Sequence, residues 1–290
     1  MSEPITTEVK EVAFFGPTGG CALAALKLAL ESGCRCSACQ SPPLHSIMYH
    51  RSADQLTYCT QLVARRPSHL LSQLSTLPPN ILENLTITEG NVQTPTAVLE
   101  TLRSQTNPSL PRKYIISGIG GAPKFGLNPF RPMLDNPHIC QEAAEAVLSG
   151  LRELKSGVAE VEWQQPLMAV ISSTGLAPGE LPFVMKPLYG MLKHPHDDKL
   201  KMEGVVTTAE EGLLKWVVVR AGLMTDGPAG GAVRAGYAGR AKNGNVKWGD
   251  VEGVAVGYRI SRGDVGRWLF EEVIGQDGGE WVGKRVCLVY

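Results

Sequence analysis

This sequence predicts an α/β fold built on a doubly wound parallel sheet, and three observations carry that prediction. Short apolar runs recur along the 290 residues, stretches with helical spacing alternate with them, and the first run passes through a glycine turn straight into an alanine- and leucine-rich stretch. Strands that alternate with helices form βαβ units. A parallel sheet covered on both faces needs strands that are apolar throughout rather than at every second residue.

The first strand is expected at Glu11 to Phe15. Gly16-Pro17-Thr18-Gly19-Gly20-Cys21-Ala22 follows it, then the helical stretch Leu23 to Leu30, which stops at Gly33. Further apolar strands are expected at Cys59 to Ala64, Leu85 to Thr88, Tyr114 to Ser117, Leu167 to Ser172 and Trp216 to Val219. Helical character marks Thr94 to Arg103, Gln141 to Leu154 and Asp198 to Glu211, and Ser261 is placed to cap a last helix carrying Val265, Leu269 and Val273. Residues 1–290 therefore read as one domain with a small C-terminal region on the substrate side.

Two stretches break the rhythm. Residues 34–57 carry Cys-x-Cys-x-x-Cys, Pro42-Pro43 and two histidines where a compact fold connects helix to strand in a few residues, so they read as a poorly packed insertion. Residues 227–256 are glycine-rich and aperiodic, and read as an irregular loop or short hairpin on the substrate side.

Composition removes several classes of function. Lys plus Arg and Asp plus Glu both number 28, so no global charge draws the chain to nucleic acid or to an anionic membrane. No apolar run reaches the roughly 18 residues of a membrane helix, and Met1 to Lys10 has neither a signal-peptide nor a transit-peptide pattern. A cytoplasmic protein, monomeric or homodimeric, that acts on a small molecule is the expectation. The seven cysteines, four of them between Cys34 and Cys59, do not form a secreted disulfide framework and read as reduced thiols. Cys34, Cys36, Cys39, His45, His50 and Cys59 are soft ligands without the paired spacing of a zinc ribbon, so no structural metal is expected.

The turn after the first strand has the spacing G-x-x-G-x-x-A, with Gly16, Gly19 and Ala22 at the small positions. Between a strand and a helix, such a turn lets the backbone approach a pyrophosphate whose charge rests on the helix N-terminus. Arg65 and Arg66 stand at the end of the next expected strand, where a protein specific for NAD usually places an acid. Guanidinium groups there suit a 2′-phosphate, Arg65 being the better placed, so NADP(H) is preferred over NAD.

The order of these motifs resembles the NmrA-like, NAD(P)-binding kind of atypical short-chain dehydrogenase/reductase, a Rossmann fold. The resemblance is carried by Gly-Pro-Thr-Gly-Gly at 16–20, Val63-Ala64-Arg65-Arg66-Pro67, Glu89-Gly90-Asn91-Val92, Ile171-Ser172-Ser173-Thr174-Gly175, the stretch Val219 to Gly227, and Ile260-Ser261-Arg262-Gly263-Asp264-Val265, which together span nearly the whole chain. It implies that Gly16, Thr18, Gly19 and Gly20 hold the phosphates, Arg65 the 2′-phosphate, Asn91 and Val92 the adenine side, and Ser117 and Gly118 the ribose. Asn91 stands where the family commonly has Asp, and Ala221 where it commonly has Pro.

Reduction in this superfamily uses a hydroxyl that polarises the substrate carbonyl and a lysine that binds the nicotinamide ribose. Tyr189 and Lys193 have the Tyr-x-x-x-Lys spacing, but Pro187, Gly190 and Pro195 surround them. Lys199 with Glu203 one turn on, in a helix capped by Asp197 or Asp198, is the better match to the family's cofactor lysine. Pro195 then fills the slot four residues before it, and Tyr189 or His196 would have to supply the proton. Ser173 sits where the superfamily keeps its active-site serine, although a turn hydroxyl has the same appearance. The expected activity is an NADP(H)-dependent oxidoreductase on a small carbonyl or enone. A non-catalytic dinucleotide sensor and a non-redox isomerase or cyclase on the same fold are the alternatives.

Overall fold

A computed structural model describes residues 9–40, 67–121, 123–124, 133–134, 136–185, 187, 189, 193–237 and 254–290. The expected strand at 59–64, Arg65, Arg66 and the histidines at 45 and 50 lie outside the described residues.

Among the described residues, eight strands form one sheet in the order β10-β12-β8-β7-β4-β1-β2-β3. They are β1 (Glu11–Phe15), β2 (Arg35–Gln40), β3 (Leu85–Glu89), β4 (Tyr114–Ser117), β7 (Leu167–Ser173), β8 (Lys215–Ala221), β10 (Arg234–Tyr237) and β12 (Lys284–Val289). All neighbours run parallel except the edge pair β10 and β12. The two-residue strands β5 (Pro123–Lys124) and β6 (Met133–Leu134) pair with each other, as do β9 (Leu223–Thr225) and β11 (Arg259–Ser261).

The strands are apolar on both faces because helices cover both. Val12, Phe14, Tyr114, Ile116, Ala169 and Ile171 point into one core and Ala13, Phe15, Ile115, Met168 and Val170 into the other, alternating along each strand as the pleat requires. Helix α1 (Gly20–Glu31) lies over the first core. Two short helices follow in the chain, α2 (Pro67–Gln73) and α3 (Pro79–Leu82). The second core is covered by α4 (Pro95–Leu102), α5 (Ile139–Ser156) and α6 (Lys193–Thr207). Helix α7 (Arg262–Trp268) returns to the first core beside α1 and continues as a π-helical stretch, Leu269–Gly275. Among the described residues no helix is long and apolar enough to cross a membrane.

The expectation that 34–57 is a poorly packed insertion is corrected over its first residues. Arg35–Gln40 is β2, paired in register with β1 (Val12 to Cys36) and with β3 (Cys36 to Leu85), and Cys36, Ser37, Ala38 and Cys39 are buried. Cysteine and serine are unremarkable strand formers alone. Two parallel ladders override that weakness by pairing the β2 backbone on both sides in the slot between β1 and β3. Residues 41–57 lie outside the described residues.

Two smaller corrections concern 198–211 and 227–256. Helix α6 begins at Lys193 and ends at Thr207, earlier than the apolar spacing suggests. The glycine-rich stretch contains a true strand, β10, which closes the sheet edge against β12.

Candidate active site

The connections from β1 and β4 leave the sheet on opposite faces, the first to α1 and the second to α5, although the two strands are neighbours. Between them opens the crevice at the carboxyl ends of the strands where doubly wound sheets bind ligands. The glycine turn forms one wall. Gly16 has φ +69°, in the left-handed region that glycine adopts without strain.

The opposite wall is the chain after β4, pressed against this turn. Gly118 N–H donates to Phe15 O at 2.8 Å, and Gly19 N–H donates to Gly16 O at 3.1 Å. A Cβ on Gly118 would stand 2.7 Å from the Ala22 Cβ, and one on Gly16 would meet Ile119 N at 3.0 Å. Side chains are thus excluded at the contact, and backbone is what a ligand meets. Gly19 is the N-cap of α1 and offers no side-chain cap, so the first-turn N–H groups are left for an anion. The cleft has a volume of about 220 Å³, and its walls include Gly20, Cys21, Gly118, Ile171, Lys199 and Arg262.

Lys199 reaches the cleft because α6 is fastened at its neighbour. The buried Asp198 carboxylate accepts from the N–H groups of Cys140 and Gln141, both at 3.0 Å, in the first turn of α5. Asp198 therefore caps α5 and not its own helix, which corrects the expected role while keeping the acid at a helix N-terminus. Lys199 Nζ donates to Ile171 O at 2.5 Å, at the end of β7. Glu203, one turn on, is buried. Its carboxylate takes the hydroxyl of Ser172 at 2.6 Å and the guanidinium of Arg220 at 2.6 and 3.0 Å.

Of the residues singled out in the sequence, Gly19, Gly20, Gly118 and Lys199 line the cleft together. Gly16 shapes the turn behind them. Ser117, the buried end of β4, adjoins Gly118. Thr18, Ser173 and Tyr189 are not among the described residues lining the cleft. Tyr189 is buried, with its hydroxyl 3.3 Å from Thr174 Oγ1 and its ring 5.4 Å from that of His196. Burial raises the Tyr189 pKa and lowers that of His196. Ser173 ends β7 opposite Ala221 and is half-buried. Asn91 spends its Oδ1 on the turn into α4, accepting from Gln93 N–H at 2.8 Å, and Val92 beside it is buried. Lys193 opens α6, while 190–192 lie outside the described residues, as does Arg65.

Sequence reasoning missed the charges that brace this end of the sheet. Arg220, buried at the end of β8, bridges Glu203 and Glu180. Glu180 in turn accepts the N–H groups of Gly175, Leu176 and Ala177 at 2.9 to 3.1 Å, so it pins the loop that follows Ser173 and Thr174. Arg262 was noted only as part of a motif. Glu203 and Arg220 stand in motifs already singled out, but nothing local marks Glu180 or the pairing, because the partners lie 17 and 40 residues apart in the chain. Among the described residues no group of three or more His, Cys, Asp or Glu is placed to hold a metal ion, and Cys21, Cys34, Cys36, Cys39, Cys140 and Cys287 are free and buried.

No protein-family model matches the chain. Among solved structures, the fold is shared with a short-chain dehydrogenase/reductase from Veillonella parvula in complex with NADP, at a TM-score of 0.59 and 13% identity over 97% of this chain and 94% of that one. It is also shared with ChuY, an anaerobillin reductase from Escherichia coli O157:H7, at a TM-score of 0.56 and 16% identity over 97% of each chain. In sequence the chain is 36% identical to the reductase pytE of Aspergillus terreus across 96% of its own length and 97% of that protein. Its identity to the oxidase pynE of Aspergillus niger is 32% over the same shares. The chain belongs to the family of these two proteins and is an oxidoreductase, and its fold is the Rossmann type seen in the two solved structures. In this oxidoreductase the cleft between the glycine turn and Lys199 occupies the switch point of the sheet, the place where such a fold binds its ligand.

Proposed function

We propose that this chain is an NADP(H)-dependent oxidoreductase of the atypical, NmrA-like kind that reduces a small carbonyl compound or enone. The observation that carries the reading is the cleft itself, in which backbone from Gly19 to Ala22 and at Gly118 faces the Lys199 ammonium across the carboxyl ends of β1 and β4. A Cβ at Gly118 or Gly16 would force the two walls apart, and their close approach leaves backbone for a pyrophosphate to lie against.

In this reading the first turn of α1 holds the phosphates and Lys199 the ribose next to the nicotinamide. Arg65 takes the 2′-phosphate and sets the preference for NADP(H). When bound, the dihydronicotinamide would supply a hydride to the carbonyl carbon or the enone β-carbon, and a proton from solvent water would complete the reduction at the oxygen or the α-carbon. The chain excludes water from one side of that site through the apolar Ile171 and Met224, and Lys199 supports the developing oxygen charge.

One observation favours a second reading, a non-catalytic dinucleotide sensor: the Tyr189 hydroxyl is turned towards Thr174 and away from the cleft lining. Titration of the purified full chain with NADPH and NADH, followed by cofactor fluorescence, tests both. NADPH is expected to bind more tightly than NADH, Arg65→Ala to remove the difference, and Lys199→Ala to weaken both by about tenfold. Failure of both nucleotides to bind would overturn the proposal. Binding without turnover of any aldehyde, ketone or enone in a broad panel would leave the sensor.

A further inference from the structure

We propose that Arg262 is a cofactor-phosphate ligand from the C-terminal region, held ready over the first turn of α1 by an exposed carboxylate, Asp226, which it exchanges for the pyrophosphate. The inference rests on the dinucleotide reading above.

Helices α1 and α7 start side by side. A Cβ on Gly266 would stand 2.4 Å from the Ala24 Cβ and 2.7 Å from Cys21 O, so the two backbones touch. One turn earlier on each helix, a Cβ on Gly20 would stand 2.4 Å from Arg262 Cδ and 3.2 Å from Arg262 Cβ. The aliphatic stem of Arg262 therefore lies across the Cα of Gly20, within the turn whose N–H groups await an anion. Arg262 lines the cleft together with Lys199, and both cations act on the Cys21 thiol between them, each opposing the burial that pushes that thiol up to about 11.

The guanidinium is engaged through one nitrogen, Nη1, with Asp226 Oδ1 at 2.5 Å. The Asp226 side chain is 97% exposed and that of Arg262 35% exposed, so the pair is screened by water and easily parted. A pyrophosphate presents paired anionic oxygens that match the guanidinium fork, and does so at the helix N-terminus, where negative charge is favoured. Glycine at position 20 has a second meaning here, since any larger residue would displace the stem of Arg262 from the turn.

Asp226 thus acts as a competitor for Arg262, and this gives the test opposite signs for the two partners. NADPH dissociation constants are measured by fluorescence for the full-length wild type, Arg262→Ala, Arg262→Lys and Asp226→Asn, with adenosine 2′-monophosphate, which lacks the pyrophosphate, as a competing probe. Arg262→Ala is expected to weaken NADPH by about 10- to 100-fold with the adenosine 2′-monophosphate constant unchanged. Arg262→Lys recovers part of the loss, and Asp226→Asn tightens NADPH several-fold. Thermal melting of the free variants separates misfolding from lost binding. The proposal is overturned if Arg262→Ala binds NADPH like the wild type, or if Asp226→Asn weakens NADPH as Arg262→Ala does, which would make the pair a structural clasp. A wild type that binds neither NADPH nor NADH would bring down the dinucleotide reading and this inference together, whereas the first two outcomes leave that reading standing.

Discussion

Arg220 and Arg112 are almost equally buried, 5% and 2% exposed, at opposite ends of the same sheet, yet they are served very differently. At the carboxyl end, all three Arg220 nitrogens engage Glu203 or Glu180. Burial works against its charge, but the two carboxylates reverse that effect, and its pKa rises. At the amino end, Arg112 Nε donates to Thr101 O, while Nη1 lies 3.6 Å from Glu11 with no hydrogen bond. There burial prevails over Glu11 and lowers the pKa. Glu11 meanwhile accepts from the N–H groups of Gln105 and Thr106 and fastens a surface turn. The difference is in the cation: at the carboxyl ends Arg220 is fully matched by carboxylates that also pin the loop after β7, while at the amino ends Glu11 fastens a turn and leaves Arg112 poorly matched.

The comparison breaks most visibly at Arg220. Arg220→Ala takes the shared cation from two buried carboxylates, leaving Glu203 with the half-exposed Arg285 at 3.2 Å, and is expected to destabilise the protein by about 3 to 5 kcal/mol in urea unfolding. A loss below about 1 kcal/mol would mean the network is slack like that of Arg112. Glu180→Gln should cost less, about 1 to 3 kcal/mol, and should speed amide hydrogen exchange at Gly175, Leu176 and Ala177, which its carboxylate now holds. Unchanged exchange there would show that the loop is held by other means.

Smaller still is an effect of acid on Asp264. This fully buried carboxylate accepts from Ser261, Tyr290, Gly230 and Gly231. Burial pushes its pKa up, but the Tyr290 hydroxyl and the other donors outweigh burial, and the net pKa falls below the ordinary 3.8. A lowered folded pKa means stability that is complete above the unfolded value and lost as pH falls through the folded one. Melting curves between neutral pH and about pH 2 should therefore show a steeper acid decline for wild type than for Asp264→Asn; parallel declines would remove Asp264 from the account. The smallest change is expected for the double variant Glu11→Gln/Arg112→Met, neutral or stabilising by about 1 kcal/mol because it removes a poorly matched buried pair. A loss comparable to that of Arg220→Ala would erase the contrast between the two ends.

The legible parts of the site were those with a local cause. Gly16, Gly19 and Gly20 stand out in the glycine turn between strand and helix, and Gly118 and Lys199 because a resemblance singled them out. Tyr189 was attractive on spacing alone, and packing turned its hydroxyl to Thr174. Asp197 or Asp198 is expected from the sequence to cap the helix that carries Lys199. Asp198 caps α5 instead, since the helix that supplies it begins five residues earlier, at Lys193.

By itself the sequence determined the sheet interior: β1, β4, β7 and β8 appear where continuous apolar runs stand, because a strand buried on both faces must be apolar residue by residue. It also determined the glycine turn and the Ser261 cap, whose hydroxyl accepts from Asp264 N–H three residues on. Only the tertiary structure decided β2 and β10, whose residues have little strand preference and gain it from ladders with distant partners. Only it decided the partnerships of Arg220 with Glu180 and Glu203, and of Arg262 with Gly20 and Asp226. A charge in a sequence declares its sign but not its neighbour, and the neighbour, brought near by burial from 17 to 40 residues away in the case of Arg220, settles what that charge does.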